Sequence, residues 1–357
     1  MQAALALARR GLGRVWPNPA VGCVLTRNDV VIGRGWTQPG GRPHAETEAI
    51  ARAGDAKGAT AYVTLEPCSH HGQTPPCADA LIAAGIRRVV AAMEDPDPRV
   101  SGRGFDLLRK AGIEVEIGVC RDEAAALNQG FAKRLAANRP MVTLKTAVTS
   151  DGRIATASGE SQWITGEEAR ADVHRLRAEH DAIVVASATA IADDPMLTCR
   201  LPGMSDRSQI RILLDARLRV PTDAALYKTA KELPLWVFAA AAPEDAASAE
   251  RAALGARMFT VSVDRSGQGV HLYETFGLLA DQGLTRVLVE AGGALASALL
   301  IEKLVDELVL YRAPSLIGGD GIAMTGPLGV EKLAGRLNMR RIALRTIGNE
   351  VVETFRL

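Results

Sequence analysis

Hydrophobic and polar residues follow two different patterns in the first half of the chain. Short apolar runs rich in Val and Ile are separated by segments in which Ala, Leu and Arg recur at helical spacing. The apolar runs predict β-strands, and the segments of helical period predict α-helices between them. The predicted strands are 21–26, 30–36, 61–65, 88–92 and 115–119, and the predicted helices are 45–53, 78–84, 105–111 and 122–135. This alternation indicates helices packed on a central sheet.

The last predicted helix of this half ends before Asn138-Arg139-Pro140. Proline cannot continue a helix, and it disfavours the α conformation in the residue that precedes it. We therefore predict a domain boundary here, with domains 1–139 and 140–357. A second α/β series follows the boundary. Its predicted strands are 142–148, 183–186, 211–214, 235–238, 286–290 and 307–311, and its predicted helices are 167–177 and 294–303.

The length and the composition agree with two globular domains. A chain of 357 residues, 47% hydrophobic and 23% charged, is long enough to bury two separate cores. Its 42 basic residues nearly balance its 41 acidic residues. A groove for nucleic acid usually shows a clear basic excess. A small anionic substrate is therefore expected rather than RNA or DNA.

Cysteine usage and the N-terminus predict a cytoplasmic protein. Five cysteines, an odd number spread over a long chain, argue against a disulfide framework and favour a reducing compartment. Arg9 and Arg10 follow a short apolar run, whereas a secretory signal places its charges before that run. No apolar run of the sequence has the length of a membrane span, so no membrane partner is expected.

A histidine and two cysteines form the strongest chemical pattern of the sequence. His44 lies in Pro43-His44-Ala45-Glu46, and Cys68 and Cys77 follow it along the chain. Imidazole and thiolate are preferred zinc ligands, and a catalytic zinc keeps three protein ligands and one water. We predict that His44, Cys68 and Cys77 bind one Zn²⁺, which lowers the pKa of that water.

Glu46 lies two residues after the histidine, in the first turn of a predicted helix. From there it can reach the water without binding the metal, take its proton and deliver that proton to departing ammonia. This H-x-E pattern with two later cysteines is typical of nucleobase deaminases. The match departs in one respect, because eight residues separate Cys68 from Cys77 where the usual pattern has two.

Other interpretations of these residues stay open. Cys68 and Cys77 can be ordinary buried residues beside a surface histidine. A purely structural zinc site is a further possibility, and it would take His70 or His71 as its fourth ligand. That site would give the carboxylate of Glu46 no role, which favours the catalytic interpretation.

Asn18 also has two interpretations. It precedes the first predicted strand and lies between two prolines. Its amide both donates and accepts, so it can recognise the edge of a pyrimidine, but asparagine is equally common in turns. Cys23 and Cys120 lie within or at the end of predicted strands and are expected to be small core residues.

Taken together, these motifs resemble the family of bifunctional deaminase–reductases of riboflavin biosynthesis, over nearly the whole chain. The residues that carry the resemblance are 17–22, 44–46, 66–70, 74–77 and 95–100 in the first half, and 150–153, 158–165, 192–195 and 290–293 in the second. The resemblance implies a cytidine-deaminase-like three-layer α/β domain followed by a dihydrofolate-reductase-like α/β domain. One departure is Glu48, where the family pattern has a second histidine.

The resemblance implies two consecutive reactions. The first is zinc-dependent hydrolytic deamination of 2,5-diamino-6-(5-phosphoribosylamino)pyrimidin-4(3H)-one, and the second is NADPH-dependent reduction of its ribosyl group to ribityl. By position, the resemblance assigns NADPH to Ala147, Trp163, Thr189, Asp193, Gly292, Gly293, Ala294, Leu295, Ala296 and Ser297. It assigns the substrate of the second reaction to Ser161, Arg177, Leu197, Arg200 and Glu290. It also implies a homo-oligomer that associates through the reductase domain.

The second half taken on its own chemistry indicates less. Gly292 and Gly293 lead from the predicted strand 286–290 into a helix, and a helix N-terminus binds phosphate, but a plain tight turn has the same sequence. Arg177 and Arg200 are candidates to bind the substrate phosphate, because a guanidinium binds phosphate oxygens bidentately. The alternative is that they are solvated surface residues, which most arginines are. Because the cofactor carries the hydride chemistry, we expect only a proton or polarising role for the protein, from Lys145 or Asp193.

Two other classes of function compete with an enzyme of two activities. A nucleobase or nucleic-acid-editing deaminase with a non-catalytic C-terminal binding domain predicts a basic second half and exposed aromatic residues for stacking. Aromatic residues make up only 4% of the chain, which disfavours this class. A zinc-stabilised binding protein that has lost its activity would tolerate loss of Glu46 or of the Gly292-Gly293 turn, and both are present.

Overall fold

The computed structural model describes residues 1–70, 75–98, 100–207, 209–242 and 244–357. The chain divides into two compact units, Met1–Arg139 and Pro140–Leu357. Within the described ranges, no helix is both long enough and apolar enough to cross a membrane.

The first unit is built on a five-stranded sheet in the order β2-β1-β3-β4-β5. Its strands are β1 (Gly22–Arg27), β2 (Val30–Trp36), β3 (Thr60–Val63), β4 (Arg88–Ala91) and β5 (Glu114–Ile117). Its helices are α1 (Gln2–Ala8), α2 (Ala45–Ala53), α3 (Cys77–Ala83), α4 (Arg103–Lys110), α5 (Arg121–Leu127) and α6 (Gln129–Ala137). Strand β1 is antiparallel to both neighbours, whereas β3, β4 and β5 are parallel.

Alternating side chains of this sheet bury apolar surface on both faces, which produces three layers. On one face, Leu25 and Val63 pack in a core with residues of α2, α3 and α4, such as Phe105. On the other face, Val24 packs against α1 and Ala92 packs against Ala124 of α5. A strand covered on both faces reads as a short apolar run rather than an alternating one, and β1, β3 and β4 are covered in this way.

The second unit contains a nine-stranded sheet in the order β11-β10-β9-β8-β12-β6-β13-β16-β15, and a separate β14-β7 pair. Its strands are β6 (Met141–Thr149), β7 (Arg153–Ala155), β8 (Ala182–Ala186), β9 (Ile210–Leu214), β10 (Leu235–Ala239), β11 (Arg257–Thr260), β12 (Arg286–Glu290), β13 (Glu307–Ala313), β14 (Ile322–Ala323), β15 (Arg340–Ile347) and β16 (Glu350–Arg356). Its helices are α7 (Glu167–Ala178), α8 (Ser187–Asp193), α9 (Ala225–Lys228), α10 (Ala246–Ala253), α11 (Leu272–Asp281) and α12 (Gly293–Ile301).

Seven neighbouring strands of this sheet, from β11 to β13, are parallel, and β16 and β15 add an antiparallel edge. Asp181 fixes the register where β8 and β12 begin. Its buried carboxylate accepts the N–H groups of Thr285 and Arg286 at 2.7 and 2.9 Å and the Thr285 hydroxyl at 2.7 Å. Because the seven strands are parallel, their carboxyl ends lie along one edge of the sheet, where such sheets bind their ligands.

The prediction of one helix over 122–135 is wrong, because Asn128 separates α5 from α6. Asn128 has φ −98° and ψ 15°, and its side chain is bonded to a segment distant in the sequence. The amide oxygen accepts the N–H of Ala20 at 2.9 Å, and the amide nitrogen donates to the carbonyl of Ala20 at 3.1 Å. The helical period continues through this break, so the pattern alone could not reveal it.

The glycines of β2 let helix α2 approach the sheet closely, and we use one of them for a stability prediction. A Cβ at Gly35 would lie 2.1 Å from the carbonyl oxygen of Ala45 and 2.6 Å from the amide nitrogen of Ala49. Overpacking of this kind costs about 1–3 kcal/mol, so Gly35→Ala should lower the thermal midpoint of the first unit. Gly277→Ala is the control, because a Cβ there meets nothing within 4 Å. Equal midpoints for the two variants in calorimetry would contradict this account.

Candidate metal centre and cofactor site

Three elements of the first unit bring the predicted zinc ligands together. His44 is the extended residue that caps α2, Cys68 lies in the segment after β3, and Cys77 is the first residue of α3. The Nδ1 atom of His44 lies 3.2 Å from Cys77 Sγ and 3.7 Å from Cys68 Sγ. All three ligand atoms lie within 4.8 Å of one another.

This donor set fits zinc. Zn–S and Zn–N bond lengths in a tetrahedral site place the ligand atoms roughly 3.5–3.8 Å apart, close to the observed separations. A hydrogen bond from Cys77 holds the pKa of the Cys68 thiol at about 4, and the same bond raises the pKa of Cys77. Cysteine binds zinc as the thiolate, so a divalent cation would displace the remaining thiol proton and neutralise both thiolates.

Glu46 is buried beside these ligands, as the second residue of α2. Burial raises the pKa of its carboxyl group to about 7. Among the described residues, the group able to hold a metal comprises His44, Cys68 and Cys77 alone. His70, proposed above as a structural fourth ligand, is exposed and is not part of that group, and His71 lies outside the described residues.

Sequence reasoning missed the role of Glu66, which it used only as a family signature. The buried carboxylate of Glu66 accepts backbone N–H groups from Asp95 at 3.2 Å, Gly102 at 2.9 Å and Gly104 at 2.8 Å. A Cβ at Gly104 would lie 2.0 Å from the carbonyl oxygen of Pro67. Glu66 therefore ties the segment that carries Cys68 to the backbone of Asp95, Gly102 and Gly104. An acidic residue two positions before a predicted ligand cysteine is the sequence signal that could have revealed this role.

Asn18 and Glu48 each contact residues close to them in the chain or the fold. The N–H of Asn18 donates to the carbonyl of Val15 at 2.9 Å, as expected of a turn residue. Its amide group lies against Gly41, where an added Cβ would come within 1.8 Å of Asn18 Nδ2, three residues before His44. Glu48, the departure from the family pattern, pairs with Arg52 at 2.7 Å and lies outside the metal ligands.

In the second unit, two predicted substrate residues bind each other. Arg177 of α7 donates through Nε and Nη2 to the two carboxylate oxygens of Glu290, at 2.6 and 3.0 Å. Its Nη1 donates to the carbonyl of Thr198 at 3.0 Å. The fork expected to grip a substrate phosphate is therefore occupied by a carboxylate. The pair links α7 to Glu290, the last residue of β12.

Lys145 and Asp193 belong to the same electrostatic cluster. Lys145 is opposite Glu290 in the register of β6 and β12, and burial lowers its pKa although Glu290 opposes the shift. Burial opposes ionisation of Glu290, but Arg177 and Lys145 outweigh it and hold its pKa at about 2. Burial, followed by the charge of Glu290, raises the pKa of Asp193.

The remaining predicted residues differ in exposure. Ala147 follows Lys145 on β6 by two positions, on the same face of the strand. Trp163 is 67% exposed, with the guanidinium of Arg170 stacked 4.5 Å from its ring centre. Leu197 is buried, Ser161 is half-buried and Arg200 is exposed. His174 was missed by the sequence; it lies one turn before Arg177 on α7, with Nδ1 3.0 Å from the carbonyl of Thr198.

The start of α12 has the expected form of a strand-to-helix turn. Gly292 caps the helix, and a Cβ there would meet Thr189 Oγ1 of α8 at 3.7 Å. The N–H of Ala296 already donates to the carbonyl of Gly292 at 3.1 Å, and the Ser297 hydroxyl donates to Gly293 at 2.8 Å. Helix geometry therefore leaves the N–H groups of Gly293, Ala294 and Leu295 for an anion.

Comparison with known sequence families assigns each unit to a class. Residues 1–93 match the cytidine and deoxycytidylate deaminase zinc-binding region, and residues 140–353 match the RibD C-terminal domain. Fold and sites thus define a bifunctional enzyme that joins a zinc-dependent deaminase to a reductase. The chain is 43% identical to the riboflavin biosynthesis protein RibD of Escherichia coli (strain K12), over 98% of this chain and 96% of that protein. This chain belongs to the RibD family of riboflavin biosynthesis proteins.

Further relatives and solved structures agree with this membership. RibD of Aquifex aeolicus (strain VF5) is 39% identical over 100% of this chain and 97% of its own. A structure of Acinetobacter baumannii RibD superposes with a TM-score of 0.89, at 41% identity, over 99% of this chain and 97% of that one. A Thermotoga maritima structure gives 0.88 at 32% identity, over 100% and 97%. The predicted resemblance, fold class and pairing of activities are confirmed, and the nucleic-acid-binding interpretation of the second half is not supported.

The bonds of Glu66 generate a prediction on metal retention. In Glu66→Gln, the side-chain amide places an N–H donor where a carboxylate oxygen accepted one, so a buried backbone N–H loses its partner at a cost of about 1–3 kcal/mol. The variant should lose zinc to a chelator faster and unfold at a lower temperature. Glu48→Gln is the matched control, since a partly exposed ion pair contributes less than about 1 kcal/mol. Indistinguishable zinc loss from the two variants would show that Glu66 does not hold the ligand segment.

Proposed function

We propose that the first unit deaminates 2,5-diamino-6-(5-phosphoribosylamino)pyrimidin-4(3H)-one and that the second unit then reduces the ribosyl group to ribityl with NADPH. The observation that carries this proposal is the group of His44, Cys68 and Cys77 beside the buried Glu46. The Thermotoga maritima relative is described as a diaminohydroxyphosphoribosylaminopyrimidine deaminase and 5-amino-6-(5-phosphoribosylamino)uracil reductase, which supports the choice of substrates.

In the deaminase site, bound zinc would supply a water that ionises near neutral pH. Nδ1 of His44 and the sulfurs of Cys68 and Cys77 would hold the metal. Glu46 would accept the proton of the attacking water and pass it to the amino group, so that a C–O bond forms, the C–N bond breaks and ammonia leaves. Its raised pKa of about 7 suits a group that must both gain and lose a proton. The Asn18 amide would bind the edge of the pyrimidine.

In the reductase site, NADPH would supply the hydride. The N–H groups at the start of α12 would bind its diphosphate, and Ala147, Trp163, Thr189 and Asp193 would line the nicotinamide side. Lys145, half-buried opposite Glu290, would polarise the sugar carbonyl and donate the proton. The exposed Arg200 is the freer candidate for the substrate phosphate, with Ser161, Leu197 and the Arg177–Glu290 pair shaping that site.

A paired assay tests the two activities and their order. One channel follows ammonia release from the diaminopyrimidinone, and the other follows oxidation of NADPH. Glu46→Gln should lower ammonia release by about 10²-fold or more, retain zinc, and still oxidise NADPH when given the deaminated intermediate. Wild-type protein that releases ammonia without consuming NADPH or NADH would refute the assignment of the second unit. Wild-type protein that contains zinc but releases no ammonia would refute that of the first.

We also propose that the protein is a homo-oligomer that associates through its second unit. Strand β15 is the edge of the nine-stranded sheet, and its residues are exposed along nearly the whole strand. Ile342 and Leu344 on this strand are 39% and 56% exposed, and Leu333 before it is 77% exposed. An exposed apolar edge of this length is covered in most stable proteins, and a second copy would cover it.

A charge on this strand should separate the copies. We expect Leu344→Glu to shift the protein from dimer or higher species toward monomer in analytical ultracentrifugation, because a buried carboxylate without a partner opposes association. Val30→Glu is the control, since Val30 is 63% exposed on the edge strand β2 of the first unit. A monomeric wild-type protein at high concentration would rule out the interface.

We propose a cytoplasmic location for the protein. All five cysteines are free thiols in the structure. Cys68 and Cys77 must stay reduced to bind zinc, which a reducing compartment ensures.

A further inference from the structure

The segment between α8 and β9 carries Leu197 and Arg200, two residues that the proposed function places at the substrate of the second reaction. The segment is neither helix nor strand from residue 194 to residue 204. Leu197 packs in a hydrophobic core and Cys199 is buried, whereas Arg200 is exposed. The direction of the exposed Arg200 side chain is therefore set by the backbone that carries it.

This backbone lacks the hydrogen bonds that fix a helix or a strand. Within the described ranges, no backbone–backbone hydrogen bond joins residues 195–200 to another residue. Backbone groups without such partners are bonded instead by side chains or water. Leu197 also has φ 52°, a left-handed conformation that few residues other than glycine adopt. Such a conformation persists only where neighbouring groups support it.

Two side chains of helix α7 supply bonds to this segment. Nη1 of Arg177 donates to the carbonyl of Thr198 at 3.0 Å. Nδ1 of His174 lies 3.0 Å from the same carbonyl oxygen and 3.3 Å from the backbone nitrogen of Arg200. Residues three apart are neighbours on a helix surface, so His174 and Arg177 approach the segment from the same side.

The imidazole of His174 binds the segment in either of its tautomers. Burial and the charges of Arg177 and Arg200 lower the pKa of this ring, so that it is neutral at neutral pH and carries one proton. With the proton on Nδ1, the ring donates to the Thr198 carbonyl. With the proton on Nε2, Nδ1 accepts the N–H of Arg200. Nδ1 therefore has a partner in the segment 198–200 in both states.

We infer that His174 is a positioning residue of the reductase reaction, which holds the backbone at Arg200 so that the guanidinium meets the substrate phosphate. The inference rests on the proposed function, in which Arg200 binds that phosphate. Arg177 does not replace His174, because its Nε and Nη2 donate to Glu290 and its Nη1 reaches Thr198. His174, by contrast, contacts the backbone of Arg200 itself.

Steady-state kinetics of the full chain with 5-amino-6-(5-phosphoribosylamino)uracil test this inference. His174→Leu keeps an apolar side chain at this position but has no hydrogen-bonding atom. It should raise KM for this substrate by about 10-fold, whereas kcat and the KM for NADPH should change little, because only substrate binding is affected. His271→Leu is the matched control, since Nδ1 of His271 likewise accepts one backbone N–H, that of Glu274 at 3.2 Å, at the start of α11.

Two further variants identify the ring nitrogen that matters. His174→Asn should restore KM, because its amide places a donor or an acceptor at the position of Nδ1. His174→Gln should not, because its amide reaches the position of Nε2 instead. If His174→Leu does not fold, the comparison of these two variants decides the question.

A double-variant cycle tests whether His174 acts through Arg200. Once Arg200→Gln has removed the phosphate contact, His174→Leu should add little to KM, since residues that act through one contact are not additive. The dephosphorylated substrate gives Arg200 no ligand, so its kcat/KM should be the same in wild type and His174→Leu.

The outcomes separate this inference from the proposed function. If the wild-type protein oxidises no NADPH with this substrate, the proposed function fails, and the inference fails with it. If the wild-type protein reduces the substrate and His174→Leu keeps the wild-type KM, the inference alone is wrong. Additive effects in the cycle, an equal loss with the dephosphorylated substrate, or rescue by glutamine rather than asparagine would each overturn it as well, because His174 would then act by a route other than the Arg200 backbone.

Discussion

The local structure around the predicted zinc ligands depends on Glu66, because a buried carboxylate must be hydrogen-bonded. Glu66 meets this requirement by accepting the backbone N–H groups of Asp95, Gly102 and Gly104. A carboxylate that is buried without partners costs several kcal/mol, so these residues and the segment carrying Cys68 are stable only together. The predicted zinc ligands lie on three separate segments, and Glu66 holds the segment of Cys68, which is neither helix nor strand. The positions of the predicted zinc ligands thus depend on a carboxylate that lies outside the predicted ligand set.

The second unit uses hydrogen-bonded carboxylates in the same way, and one of them also lies opposite Lys145. Asp181 joins the beginnings of β8 and β12, and Glu290 joins the end of β12 to α7 through Arg177. Strand β12 is therefore held at both ends, and the turn into α12 begins from a fixed point. Because Glu290 also lies opposite Lys145, the ion pair that orders the strand also sets the electrostatic environment of Lys145.

The sequence predicted the parts of the fold that have local causes. Apolar runs identified the parallel strands except β11. The spacing of His44, Cys68 and Cys77 predicted a metal-binding group, and the fold brings these three side chains together. Elements without an apolar signal were missed, such as α8 and the exposed strand β15. The pairing of Arg177 with Glu290 joins residues far apart in the sequence, so no local pattern could reveal it. The break at Asn128 was missed for the same reason, since its cause is the backbone of Ala20.

The Asn128 bond to Ala20 has a consequence for how the two activities could be separated during evolution. The zinc-binding region matched by sequence ends at residue 93, yet the first unit extends to Arg139. Asn128 secures the segment that carries Asn18, so α5 and α6 belong structurally to the deaminase although they follow its ligands by many residues. A gene split soon after the zinc motif would leave that segment unsecured. Fission into two independent enzymes should therefore succeed only when the cut falls close to Pro140.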